Sequence, residues 1–171
     1  MKRSHFFTLA AAFSLGACTD NPVAPGPGDP QEPILTTPST TTIAGRIRVV
    51  GSGADLAIEL RDGLDNVYRL VGSKAAALAS VDGGDVIARG TFDANPGFVV
   101  EEFQVTAMHG RPALDGRLEA TNDGLAIRLL DGSLRVVPGL PENCAEHIGA
   151  RLWVIGWDGD EKAPVEFGLI A

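Results

Sequence analysis

Few side chains in this sequence have the types and spacing that catalyse a reaction or hold a metal. Two acidic clusters come nearest, Asp62-Gly63-Leu64-Asp65-Asn66 and Asp158-Gly159-Asp160-Glu161. Carboxylates at that density can ligate Ca²⁺, but an EF-hand loop needs alternating Asp or Asn, a central Gly and a distal Glu, and neither cluster has that spacing. Asp-Gly is also what a tight hairpin turn demands, and the turn reading takes both clusters. The histidines (His5, His109, His147) are scattered, and the only cysteines are Cys18 and Cys144. They assemble into no metal set and no catalytic triad. Nothing near Cys144 would lower its pKa, so it reads as a small buried apolar residue. The expectation is no catalytic residue, no metal and no cofactor.

Charge narrows the remaining choices. The chain has 14 Lys and Arg against 22 Asp and Glu, a net charge of −8. Lys2 and Arg3 lie in a segment expected to be removed, which leaves 12 basic against 22 acidic residues, net −10. Such a summed field repels phosphate backbones, so no nucleic-acid partner is expected. The seven aromatics beyond residue 17 are also few for a series of base-stacking platforms.

The N-terminus carries an address. Lys2 and Arg3 form a positive n-region, and Phe6 to Leu15 an apolar run too short to span a bilayer but right for a secretory h-region. The run ends in Leu15-Gly16-Ala17-Cys18, which resembles the lipobox of bacterial lipoproteins. That resemblance implies a signal peptide over 1–17 and diacylation of the Cys18 thiol at the new N-terminus, leaving no partner for a disulfide. Several acyl chains hold a protein stably to a bilayer, whereas one is marginal. Thr19 rather than Asp after the cysteine implies, by resemblance to the enterobacterial sorting rule, the outer membrane, facing periplasm or cell surface. Residues 18–42 then form a lipidated, disordered tether. Six of the 11 prolines fall between Thr19 and Thr42 with almost no apolar mass to offset ordering.

Beyond the tether one small β unit is written twice. Ala57 to Gly63 (Ala-Ile-Glu-Leu-Arg-Asp-Gly) returns at Ala126 to Gly132 as Ala-Ile-Arg-Leu-Leu-Asp-Gly. Ile43-Ala44-Gly45-Arg46-Ile47 is echoed by Leu114-Asp115-Gly116-Arg117-Leu118. Gly84 and Gly90 bracket a fourth strand in one copy as Gly149 and Gly156 do in the other. Period-two alternation and turn residues predict strands at 43–50, 56–61, 67–71, 84–92 and 98–105, with a helix over 73–80 and a turn at Asn95-Pro96-Gly97. The second copy predicts strands at 114–118, 125–130, 134–137, 151–157 and 165–170, with a helix over 142–148. Three strands, a helix and two strands in about 60 residues resemble the OB-fold, a five-stranded barrel with its helix between the third and fourth strands. The resemblance implies an all-β protein of two tandem OB-like barrels, over 43–106 and 114–171, joined by a linker over 107–113. A single ten-stranded sandwich or barrel built from both halves is the competing architecture.

The OB-like arrangement places the candidate residues. In OB-folds the outer face of the second and third strands is the usual ligand surface. Here it would carry Glu59, Arg61 and Arg69 in the first copy and Arg128 and Arg135 in the second, an anion or polar-ligand site. Solvated charge opposite a core explains the same residues more simply. Aligning Tyr68-Arg69-Leu70 with Leu134-Arg135-Val136 sends Tyr68, Leu70, Leu134 and Val136 inward and both arginines outward. On the fourth strand of the second copy, Leu152 and Val154 face inward, leaving Trp153, Ile155 and Trp157 on an apolar outer face. Such a face needs a cover; the first copy is the expected one, an envelope protein or a stacking sugar the alternative. The function expected is non-catalytic binding or scaffolding in the cell envelope, with a protein or glycan partner. The alternatives are an accessory enzyme or carbohydrate-binding module acting on envelope glycans, and oligonucleotide binding by analogy with other OB-folds, which the acidic charge opposes.

Overall fold

The computed structural model describes residues 39–93, 97–157 and 165–171. Cys18 and the expected tether as far as residue 38, the turn residues Asn95 and Pro96, and the acidic cluster 158–161 lie outside the described residues. Thr41 and Thr42, expected in the disordered tether, are instead strand residues paired with Gly90 and Arg89. Thr37–Ala171 forms one compact unit. It is mostly β, and among the described residues no helix is long and apolar enough to cross a membrane.

The first sheet is built from β1 (Thr41–Val50), β2 (Ala57–Arg61), β3 (Val67–Val71), β4 (Asp85–Phe92), β5 (Phe98–Met108) and the two-residue β6 (Arg111–Pro112). Their order is β3-β2-β1-β4-β5-β6, and β3 also pairs in parallel with β5 through Leu70↔Phe98 and Val71↔Val99. The pairings among β1 to β5 therefore run in a ring. Between β3 and β4 lie α1 (Ser73–Ala77) and a 3-10 turn (Leu78–Val81), which push Ala75, Leu78 and Val81 into the core. The stretch expected to be a linker, 107–113, instead carries the end of β5 and the β6 hairpin. His109 and Gly110 both have positive φ at its tip, the geometry of a two-residue type I′ turn.

The second sheet holds β7 (Leu114–Thr121), β8 (Gly124–Leu129), β9 (Leu134–Val136), β10 (Arg151–Ile155) and β11 (Glu166–Leu169) in the order β11-β10-β7-β8-β9. This is the strand order of the first sheet, and registers agree. Arg46 faces Asp85 and Gly45 faces Val86 in one copy; Arg117 faces Arg151 and Gly116 faces Leu152 in the other. The Ile47 N–H donates to the Gly84 carbonyl and the Gly83 N–H to the Ile47 carbonyl. Leu118 repeats both bonds with Ala150 and Gly149, so Gly149 matches Gly83 rather than Gly84. The repeated Gly-Arg has a steric cause. A Cβ on Gly45 would fall on the Arg61 carbonyl and the Leu60 side chain, and one on Gly116 on the Arg128 carbonyl and Ile127. Only glycine lets the first strand cross that closely over the second.

Registers also correct two sequence alignments. Arg61 opposes Arg46 as Arg128 opposes Arg117. The Ala-Ile-x-Leu echo is thus displaced by two residues, a full pleat period that leaves every face unchanged. The third-strand alignment is off by one, which reverses faces. Leu70 and Tyr68 oppose Ile58 and Leu60 in the first copy. In the second, Arg135 opposes Ile127 and Val137 donates its N–H to the Leu125 carbonyl. Val137 therefore occupies the place of Leu70 and is equally shielded, at 4% exposure for both. Leu134 and Val136, expected inward, are 41% and 46% exposed.

Two clusters form the interior. The larger combines the first sheet and α1 with two side chains from β10, Trp153 and Ile155. The smaller, in the second sheet, has Leu114, Leu118, Ile127, Val137, Cys144, Leu152 and Val154. A 3-10 turn over Glu142–His147, where a helix was expected, contributes only Cys144 to it, and burial raises that thiol's pKa.

Candidate functional site

A groove of about 440 Å³ lies on the first copy where β3 meets β5. Glu59 on β2 and Arg69 on β3 are direct cross-strand neighbours on its outer face, and neither forms an ion pair among the described residues. Its wall is aromatic. Phe92 ends β4 and is 54% exposed. Its ring lies 5.1 Å from Phe98 in an edge-on contact and 6.0 Å from Tyr68.

Asp62 holds this wall in place. Its carboxylate accepts the N–H of Leu64 at 2.8 Å and of Asn66 at 2.9 Å, the Asn66 side-chain amide at 2.9 Å and the Tyr68 hydroxyl at 3.1 Å. The Asn66 amide foremost, with those other donors, holds the carboxyl below its ordinary range. The Tyr68 hydroxyl, donating to a carboxylate, is held above its usual value. The first acidic cluster is thus a turn whose lead carboxylate fixes Tyr68. What the groove offers a ligand is an exposed ring, an open guanidinium and an open carboxylate.

The other residues expected on the ligand face are not in this groove. Arg61 reaches Asp65 at 3.5 Å across the turn. Arg128 is held bidentately by Glu119 at 2.6 and 2.7 Å and also donates to the Gly132 carbonyl. That hydrogen-bonded pair lowers the Glu119 pKa and raises that of Arg128. Arg135, expected outward, stands on the inner-face side of β9 with its guanidinium 5.9 Å from the Trp157 ring centre. The expected face of Trp153, Ile155 and Trp157 divides. Trp153 (7% exposed) and Ile155 (0%) enter the first copy's core, while Trp157 packs half-buried against the second.

One arrangement between the halves had no counterpart in the sequence reading. Asp115 on β7, 1% exposed, receives Arg151 of β10 bidentately at 2.8 and 2.7 Å, and accepts the Val105 N–H at 2.7 Å. Arg151 also donates to the Phe103 carbonyl at 2.7 Å and lies 4.3 Å from that ring's centre. The pair satisfies the middle of the β5 edge, between its pairings with β3 and with β6, where a strand would otherwise be needed. Half of a signal existed: the Gly-Arg echo puts Asp115 at Ala44, and the observed register adds Arg151 at Asp85, two complementary replacements. The aromatic groove also had a local signal, since Phe92 and Phe98 flank one turn.

Among the described residues no three metal-ligating side chains cluster. The chain matches no protein-family model, no curated protein and no solved structure at a significant level.

Proposed function

We propose that this is an exported, lipid-anchored envelope protein with a non-catalytic body of two OB-like units, the first of which binds a polar chain such as an envelope glycan in the β2–β3 groove. The ring of pairings through β3 and β5, with α1 between the third and fourth strands, supports an OB-like barrel for the first unit. The second shares its strand order. The observation that carries the binding role is the half-exposed Phe92 beside unpaired Glu59 and Arg69. An aromatic face can take the apolar side of a sugar ring, and a guanidinium and a carboxylate can each hold hydroxyls.

Co-sedimentation with insoluble cell-wall glycan tests this reading. The body should pellet with the glycan, and Phe92→Ala and Arg69→Ala should release it. A body that stays in the supernatant, or variants that pellet as well as the parent, would overturn it. The anchor is tested by intact mass: the mature protein should begin at an acylated Cys18, and Cys18→Ala should enter the soluble fraction or remain unprocessed.

A further inference from the structure

We infer that the crevice between the two halves is a second binding site, distinct from the β2–β3 groove, and that its ligand is a short apolar peptide with free termini. Three cavities of about 220, 280 and 270 Å³ meet there, all touching Leu130. Leu130 sits in the β8–β9 turn at the position where the first copy has Gly63, and it is 59% exposed. It looks onto Phe103, 5% exposed, and beyond it onto Ile87, 41% exposed on β4. An apolar side chain would be gripped between these three.

In the middle cavity the charges have both signs, and Lys74 and Glu101 among them are uncommitted; in the third, Arg117 is held by the Gly149 carbonyl and Arg128 by Glu119. The middle cavity is lined by Lys74, Glu101, Glu102 and Arg151 as well as Phe103 and Leu130. Lys74 and Glu101 take no ion pair among the described residues, and Glu102 reaches Arg89 only at 3.8 Å. Arg151 spends Nε and Nη2 on Asp115 and the Phe103 carbonyl, which leaves Nη1 for a ligand. A purely anionic ligand would meet Glu101 and Glu102; a purely cationic one would meet Lys74 and Arg151. A neutral glycan would leave the aliphatic Leu130 and Ile87 side chains against hydroxyls and the free charges without a partner. A peptide with an ammonium, a carboxylate and an apolar side chain answers all three groups. Both halves supply the lining, so neither would form the site alone.

The test uses the full chain and leucyl-leucine as the probe, followed by calorimetry and by amide chemical shifts. Binding with a Kd of about 1 mM or tighter is expected, with shifts centred on Leu130, Phe103 and Glu101. N-acetylation or C-amidation of the probe should each weaken it about tenfold or more, because each removes one charge from a two-sign site. Leu130→Asp, at an exposed turn position, should abolish binding, whereas Phe92→Ala should leave it unchanged, which separates this site from the groove. Absence of binding at about 10 mM, equal binding of the blocked peptides, or shifts centred on Phe92 would each overturn the proposal.

Discussion

The two copies share strand order, register and the glycine crossing, yet among the described residues only the first closes its ring of pairings. In the first copy β3 is five residues long and meets β5 in parallel. In the second β9 is three residues long and pairs only with β8 among the described residues. The interiors differ in the same direction. α1 and the following 3-10 turn bring Ala75, Leu78 and Val81 into the first core, where the second receives Cys144 alone. A small unit with an open sheet and a thin core is marginal. The second copy compensates by giving Trp153 and Ile155 to its neighbour and by bracing the β5 edge with Asp115 and Arg151. The second copy therefore leans on the first, and its Trp153 and Ile155 complete the first core in return.

Separating the copies breaks this comparison most severely. Residues 114–171 alone should lack cooperative unfolding by circular dichroism and heat. Residues 39–113 alone should keep β structure but melt well below the intact body, because Trp153 and Ile155 leave their core uncovered. Independent folding of the second fragment would remove the asymmetry.

Single substitutions at matched positions sharpen it. Trp153 and Ile87 occupy the same register position, facing Asp115 and Ala44. Trp153→Ala should cost about 3–5 kcal/mol, while Ile87→Ala, on an exposed face, should cost about 1 kcal/mol or less. Chemical denaturation measures both. Arg151→Ala should cost about 3–5 kcal/mol, since it strands the buried Asp115 carboxylate with a single N–H donor. The matching Asp85→Ala removes only the exposed contact with Arg46, at 2.9 Å, and should cost about 1 kcal/mol or less.

The one-residue correction to the third strand makes a smaller prediction. Val137→Ala should destabilise by about 1–3 kcal/mol, and Leu134→Ser should stay within about 0.5 kcal/mol. The reverse order would restore the alignment suggested by Leu134-Arg135-Val136.

The smallest expected effect is acidic. Asp62 in the first copy and Glu119 in the second both have lowered pKa values. A depressed folded value contributes stability above the unfolded carboxylate pKa of about 4 and loses it as pH falls through the folded value. Denaturation midpoints should therefore decline below about pH 4. Asp62→Asn should flatten part of that decline and loosen the Tyr68 ring, while Arg128→Gln should flatten the Glu119 part without touching the groove.

Strand positions were legible because alternation and turn chemistry are local: Val67–Val71 was read to the residue. The duplication was legible as well, since the glycine crossing and the core alternation repeat in order. Which residues match between copies was not. Short apolar strands satisfy several alignments, and only cross-strand hydrogen bonding selects one, so the Asp-Gly echo could sit two residues out and Arg135 on the wrong face. The first copy was the expected cover for Trp153 and is its cover, but what satisfies the β5 edge and which aromatics form the groove depend on contacts between Asp115 and Val105, Phe103 and Arg151, and Tyr68 and Phe92. These partners are brought together by the packing of one sheet against another, and by a ring of pairings that joins the third strand to the fifth. Composition and periodicity determined the all-β character and the doubled unit. Tertiary structure alone decided that one copy closes and the other leans on it, because closure depends on strand length and on which side chains fill a shared core.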